Sequence, residues 1–79
     1  MMKVMTPKSI LCKRLSTAIG KTIPPADFTW FFKRFCEVYE VPPKVRTAKA
    51  LDEETVMAFS RYAGYDLRFP IPLPLWAEK

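Results

Sequence analysis

Apolar residues recur at helical spacing in three parts of the chain: residues 7–19, 25–40 and 52–63. A repeat of three to four positions is typical of helices that bury one face and expose the other. The pairs Pro24-Pro25 and Pro42-Pro43 separate these parts, and consecutive prolines prevent a helix from continuing. The pattern therefore predicts three helices that are joined by proline-bearing connections.

Local start and stop signals agree with two of these helices. Thr6 is a residue type that caps helix starts, and Pro7 suits the first helical position because its missing N–H would be unpaired there. Asp52 is a similar capping residue before the third helix, and two acidic residues follow it. Gly20 and Gly64 come directly after the first and third repeats, where glycine commonly ends a helix.

Two segments lack the helical repeat. Residues 44–49 contain Val45 and Thr47 among basic residues and are predicted to be a short extended segment or a loop tip. Residues 69–76 alternate apolar residues with proline, which favours extended or polyproline geometry. The predicted fold is mainly α, with a small three-helix domain at residues 1–64, a short β wing and an extended proline-rich tail at residues 65–79.

The tail allows two interpretations. It is either a strap that packs on the domain or a preformed ligand for a groove on another protein. In both interpretations its apolar side chains make the contacts: Phe69, Ile71, Leu73 and Trp76. A strap that buries these side chains is the simpler interpretation, because a chain this short gains from covering its core.

The second predicted helix carries an unusual polar face. Its phenylalanines share one broad arc and are expected to form the core. The opposite arc holds residues of mixed type: Trp30, Lys33, Arg34 and Glu37, with Thr29 at its edge. Lysine and arginine are expected on a solvated face, but a tryptophan there needs an explanation. Trp30 either packs against a neighbouring element or contacts a partner, since tryptophan and arginine are common in interface hot spots.

Charge strengthens the case for an anionic partner. The chain has a net charge of +5, and residues 1–49 hold ten Lys and Arg but three Asp and Glu. Basic charge concentrated in this way favours nucleic acid over solubility alone. The expected phosphate contacts are Lys8, Lys13 and Arg14 in the first helix and Lys44, Arg46 and Lys49 after the second.

Several functional classes find little support in the sequence. There is no histidine, so a histidine-based catalytic triad is excluded, and the two glycines lie too far apart for a phosphate-binding glycine loop. Cys12 and Cys36 alone cannot complete a tetrahedral zinc site within one chain. We therefore expect no enzymatic activity, no cofactor and no metal. Two unpaired thiols, and apolar runs too short to span a bilayer, predict a cytoplasmic protein that does not bind membranes.

The order of these signals resembles a known family. Thr6-Pro7-Lys8 opens a helix, Thr29-Trp30 and Lys33-Arg34 lie on the second, Pro42-Pro43-x-Val45-Arg46 follows, and Asp52-x-x-x-Val56-x-x-Phe59 opens the third. Over residues 6–63 this resembles the excisionase and AlpA group of small phage and mobile-element regulators, relatives of the MerR-type winged helix. In that group a recognition helix is followed by a proline-bearing turn, a basic wing and a helix that begins with an acid.

The resemblance implies a helix-turn-helix protein that binds double-stranded DNA and regulates transcription or excision. Thr29, Trp30, Lys33 and Arg34 would face the DNA groove, and Arg46 would be a wing contact. The alternative is a small interaction module or inhibitor that docks on a larger, acidic protein. It would use Trp30 and the apolar side chains of the tail as anchors.

Overall fold

The computed structural model describes residues 5–75, which are mainly helical with two small sheets, as the sequence predicts at this coarse level. In chain order the elements are β1 (Met5–Pro7), α1 (Lys8–Ile19), α2 (Pro25–Val38), α3 (Pro43–Arg46), β2 (Ala50–Asp52), α4 (Glu53–Ala63), β3 (Tyr65–Asp66) and β4 (Leu73–Pro74). The described part of the chain therefore holds four helices where three were predicted.

The first sheet joins the start of α1 to the start of α4. β1 and β2 are antiparallel, with Thr6 opposite Leu51. The prediction that Thr6 caps the first helix is wrong, because Thr6 lies within β1 and is buried. Its partner strand is distant in sequence, so no local signal indicates the pairing. The cap prediction for α4 is confirmed, since the Asp52 carboxylate accepts a hydrogen bond from the Thr55 amide at 3.2 Å.

Phe59 of α4 is the centre of the core. It is completely buried, and its ring centroid lies 5.1–5.8 Å from those of four rings of α2: Phe28, Phe31, Phe32 and Phe35. These separations are typical of favourable aromatic pairs. The phenylalanine arc of the second helix is thus core, as predicted, and it orients α2 so that the opposite arc faces solvent.

The segment after α2 differs from the prediction. Lys44, Val45 and Arg46 form the one-turn helix α3 instead of an extended piece, and the strand begins only at Ala50. Pro43 occupies the first position of α3, where its fixed φ suits a helix. Val45 packs against the core from this turn. A single turn is too short to show a helical repeat in sequence, which explains the error.

Residues 65–75 form a short hairpin that is partly anchored in the core. β3 and β4 are antiparallel, and the Leu75 amide donates to the Gly64 carbonyl at 3.1 Å. Leu67 between the strands is completely buried. In contrast, Phe69, Ile71 and Leu73 are exposed, so the prediction that a strap buries them is wrong. Trp76 lies outside the described residues.

Candidate functional site

The polar arc of α2 forms an exposed surface, which we call the α2 strip: Thr29, Trp30, Lys33 and Arg34. Trp30 is the most exposed of the aromatic residues in the described chain, at 65%. The Arg34 guanidinium lies 5.8 Å from the Trp30 ring centroid and 4.0 Å from the Glu37 carboxylate. The strip has the composition of a contact surface, and the ion pair of Arg34 is weak because it is exposed.

A groove of 590 Å³ runs between α1 and α2 along one edge of the strip. We call it the basic groove, because four cations line it: Lys8, Lys13, Lys33 and Arg46. Its floor is apolar and comes from both helices: Cys12, Phe28, Phe32 and Cys36. No carboxylate is found among the described residues that line it, so the positive charge is not balanced within the groove.

A second groove of 520 Å³ lies along the other edge of the strip. We call it the apolar groove, because its walls are mainly apolar residues of α1, α2, α4 and the connection between α1 and α2: Leu15, Ile19, Ile23, Phe31 and Ala63. Trp30 stands at its edge, and Lys21 and Asp27 contribute one charge of each sign. Phe28 lines both grooves, so the two share part of their floor.

Lys8 has a defined position in the basic groove. Its ammonium lies 4.5 Å from the centroid of the Phe32 ring and donates a hydrogen bond to the Arg46 carbonyl. Desolvation by burial lowers the pKa of Lys8 from its ordinary value, and the nearby Cys36 thiol opposes this shift. The ammonium is thus fixed over an apolar ring at the groove floor, where charge is less well solvated than on an open surface.

Arg46 has a structural role in addition to lining the groove. Its guanidinium donates to the Val41 carbonyl at 2.8 Å and to the Cys36 carbonyl at 3.3 Å. The last carbonyls of a helix lack partners within it, and a cation near them is favourable. Arg46 therefore closes the end of α2, a role beyond the wing contact that the family resemblance implies.

The remaining predicted DNA contacts are dispersed. Arg14 donates to the Leu67 carbonyl at 2.9 Å and so ties α1 to the hairpin. Lys44 and Lys49 are exposed on and after α3, and neither lines the basic groove. The structure thus places Lys13 and Lys33 at one groove, together with Thr29 and Arg46, and separates Arg14, Lys44 and Lys49 from it.

Both cysteines lie on the floor of the basic groove as free thiols. Cys12 donates a weak hydrogen bond to the Ile23 carbonyl at 3.7 Å, and burial raises the pKa of the Cys36 thiol. The Cys36 thiol is therefore expected to be protonated near neutral pH. Across residues 5–75, no three side chains of the metal-binding types are grouped so that they could hold an ion.

The predicted core included Phe28 and Phe32, but the groove that these residues form with Cys12 and Cys36 was not predicted. These positions lie at the edge of the apolar arcs, beside lysines, and that juxtaposition of apolar and basic residues was the available signal. A groove requires two such edges to face each other, which is a property of helix packing.

Comparisons with protein families, with curated proteins and with solved structures found no match for this chain. Within the part of the chain that the structure describes, no helix is both long and apolar enough to cross a membrane. The α2 strip and its two grooves are therefore the candidate site.

Proposed function

We propose that this chain is a small, non-enzymatic regulator of the excisionase type that binds double-stranded DNA through the α2 strip. The observation that carries the proposal is the convergence of unbalanced cations from α1 and α2 along one edge of an exposed helix face. Lys8 and Lys13 approach from α1, and Lys33 lies on α2. Such a surface matches a phosphate backbone beside a groove.

The residue types suit the two tasks of DNA recognition. Arg34 can donate two hydrogen bonds to a guanine edge, and Thr29 can contact a thymine methyl group or a phosphate. The ion pair of Arg34 with Glu37 is exposed and 4.0 Å long, so a DNA base can replace it at little cost. Lys8, Lys13 and Lys33 would hold phosphates, with Lys44 and Lys49 as outer contacts.

A salt titration of binding to a random-sequence duplex tests this proposal. Fluorescence anisotropy should show log K falling with log salt at a slope of about −4.5 to −6, which corresponds to about five to seven neutralised phosphates. Arg34→Ala should weaken binding, whereas Arg61→Ala removes the same charge from an exposed position of α4 and should change it less. Binding that is undetectable at low ionic strength would exclude DNA as the ligand.

A second function, docking on a larger protein, has its own supporting observation. Trp30 is 65% exposed at the edge of the apolar groove, and a tryptophan beside an apolar depression is common in protein interfaces. In this case Trp30→Ala should abolish binding of the partner while Arg34→Ala retains it. Deletion of residues 69–79 would then show whether the exposed apolar residues of the hairpin also contribute, provided that the fold remains intact by circular dichroism.

A further inference from the structure

The basic groove has an apolar floor that phosphate binding does not require. A flat array of cations is sufficient for a DNA backbone, yet this groove is concave and has a floor of phenylalanine and cysteine side chains. Its volume of 590 Å³ falls within the range of about 300–1,000 Å³ that is common for small-molecule sites. A ligand that complements this groove therefore needs both an apolar body and an anionic group.

The cations are arranged around this floor and not across it. Lys8 is held at the floor by the Phe32 ring and the Arg46 carbonyl, while Lys13 and Lys33 reach the groove from opposite helices. No acidic side chain among the described lining residues competes for these cations. A ligand with one negative group would thus gain a preformed partner, and the rest of it would lie on apolar surface.

We propose that the basic groove binds a medium-chain carboxylate. The carboxylate pairs with the Lys8 ammonium, and the acyl chain lies on Phe28 and Phe32 between α1 and α2. From Phe32, where the Lys8 ammonium lies, to Pro25 the lining of the groove extends along α2 for about 10 Å, a length that an acyl chain of about ten carbons can match. This proposal does not depend on DNA binding, because the groove and its lysines are present without DNA.

The test is a titration of the ¹⁵N-labelled chain with sodium decanoate below its micelle concentration, followed by amide chemical shifts. Saturable shifts are expected at residues of the basic groove such as Lys8, Cys12 and Phe32, but not at Ile19 or Ala63 of the apolar groove. Octanoate should bind more weakly by about two- to fourfold for each methylene removed. Decanol, which lacks the charge, should bind at least about tenfold more weakly than decanoate.

Two variants separate the effect of the positive charge on decanoate binding from any effect on the fold. Lys8→Met keeps a long side chain over Phe32 and should weaken decanoate binding about tenfold, and Lys33→Met is a second such variant in case the first perturbs α1. Lys21→Met removes the same charge at the apolar groove and should leave decanoate affinity unchanged. Equal affinity for decanoate and decanol, shifts centred on the apolar groove, or binding of an acidic peptide at these residues without binding of decanoate would each overturn the proposal.

Discussion

The two grooves flank the same helix and share Phe28, yet they offer opposite chemistry. The basic groove receives Lys8 and Lys13 from the first half of α1, whereas the apolar groove receives Leu15 and Ile19 from its second half. The character of each groove is thus set mainly by which half of α1 lies beside α2. The proposed DNA and protein partners would thus use opposite edges of the α2 strip.

The residues of the α2 strip divide between its two edges. Thr29 and Lys33 belong to the basic edge, and Trp30 belongs to the apolar edge, although all three lie within two helical turns. A substitution at one edge should therefore leave ligand binding at the other edge intact. Substitutions of residues that lie beneath both grooves should change ligand binding at both edges.

The largest effect is expected for Phe59→Ala, which removes the ring that four phenylalanines of α2 contact. The resulting cavity should lower the free energy of unfolding by about 3–5 kcal/mol, a large fraction of the stability of so small a domain. Urea denaturation measures this loss. Phe69→Ala, at an exposed ring of the hairpin, is the matched control and should cost less than about 1 kcal/mol. Similar costs for the two variants would contradict a core centred on Phe59.

Asp66→Asn should have the next largest effect. The Asp66 carboxylate is buried and accepts two side-chain hydrogen bonds from Arg68, at 3.0 and 2.9 Å. Hydrogen bonding by Arg68 lowers the pKa of Asp66 from its ordinary value, and burial opposes this shift. The substitution should cost about 2 kcal/mol at pH 7.

The loss of stability caused by Asp66→Asn should depend on pH. Because the pKa of Asp66 is lower in the folded state, its contribution is present above the unfolded pKa of about 3.9 and is lost as pH falls through the folded pKa. The difference in unfolding free energy between the parent chain and Asp66→Asn should therefore shrink below about pH 4. A difference that is constant from pH 7 to pH 3 would show that Asp66 contributes little through its charge.

Arg46→Ala should destabilise the chain by about 1 kcal/mol, because the Val41 and Cys36 carbonyls lose a charged donor at the end of α2. Arg46→Ala should also weaken ligand binding in the basic groove and leave ligand binding in the apolar groove unchanged. Lys44→Ala removes one positive charge from an exposed position of α3 and should change unfolding by less than about 0.5 kcal/mol. If both variants unfold at the same urea concentration as the parent chain, Arg46 does not stabilise the helix end.

Sequence predicted the features that local chemistry decides. The cap at Asp52 and the helix ends at Gly20 and Gly64 are confirmed, because each depends on a few neighbouring residues. The strand around Thr6 was missed because its partner strand is distant in sequence. The hydrogen bonds of Arg46 were missed because they depend on the single turn α3, which is too short to show a helical repeat. The polar face of α2 was predicted correctly from its repeat, but the grooves beside it depend on how α1 and α4 pack.

The smallest stability effect is expected for Trp30→Ala, at the position where the interpretation of the sequence remained open. A side chain that is 65% exposed gains little burial on folding, so its removal should change the free energy of unfolding by less than about 0.5 kcal/mol. Ile23→Ala is the matched control, because Ile23 lines the same groove but packs against the core, and it should cost about 1–2 kcal/mol. Equal costs for the two variants in urea denaturation would mean that Trp30 contributes to the fold as Ile23 does. A small cost for Trp30 alone would instead leave its exposed ring available to a partner at the apolar edge of the α2 strip.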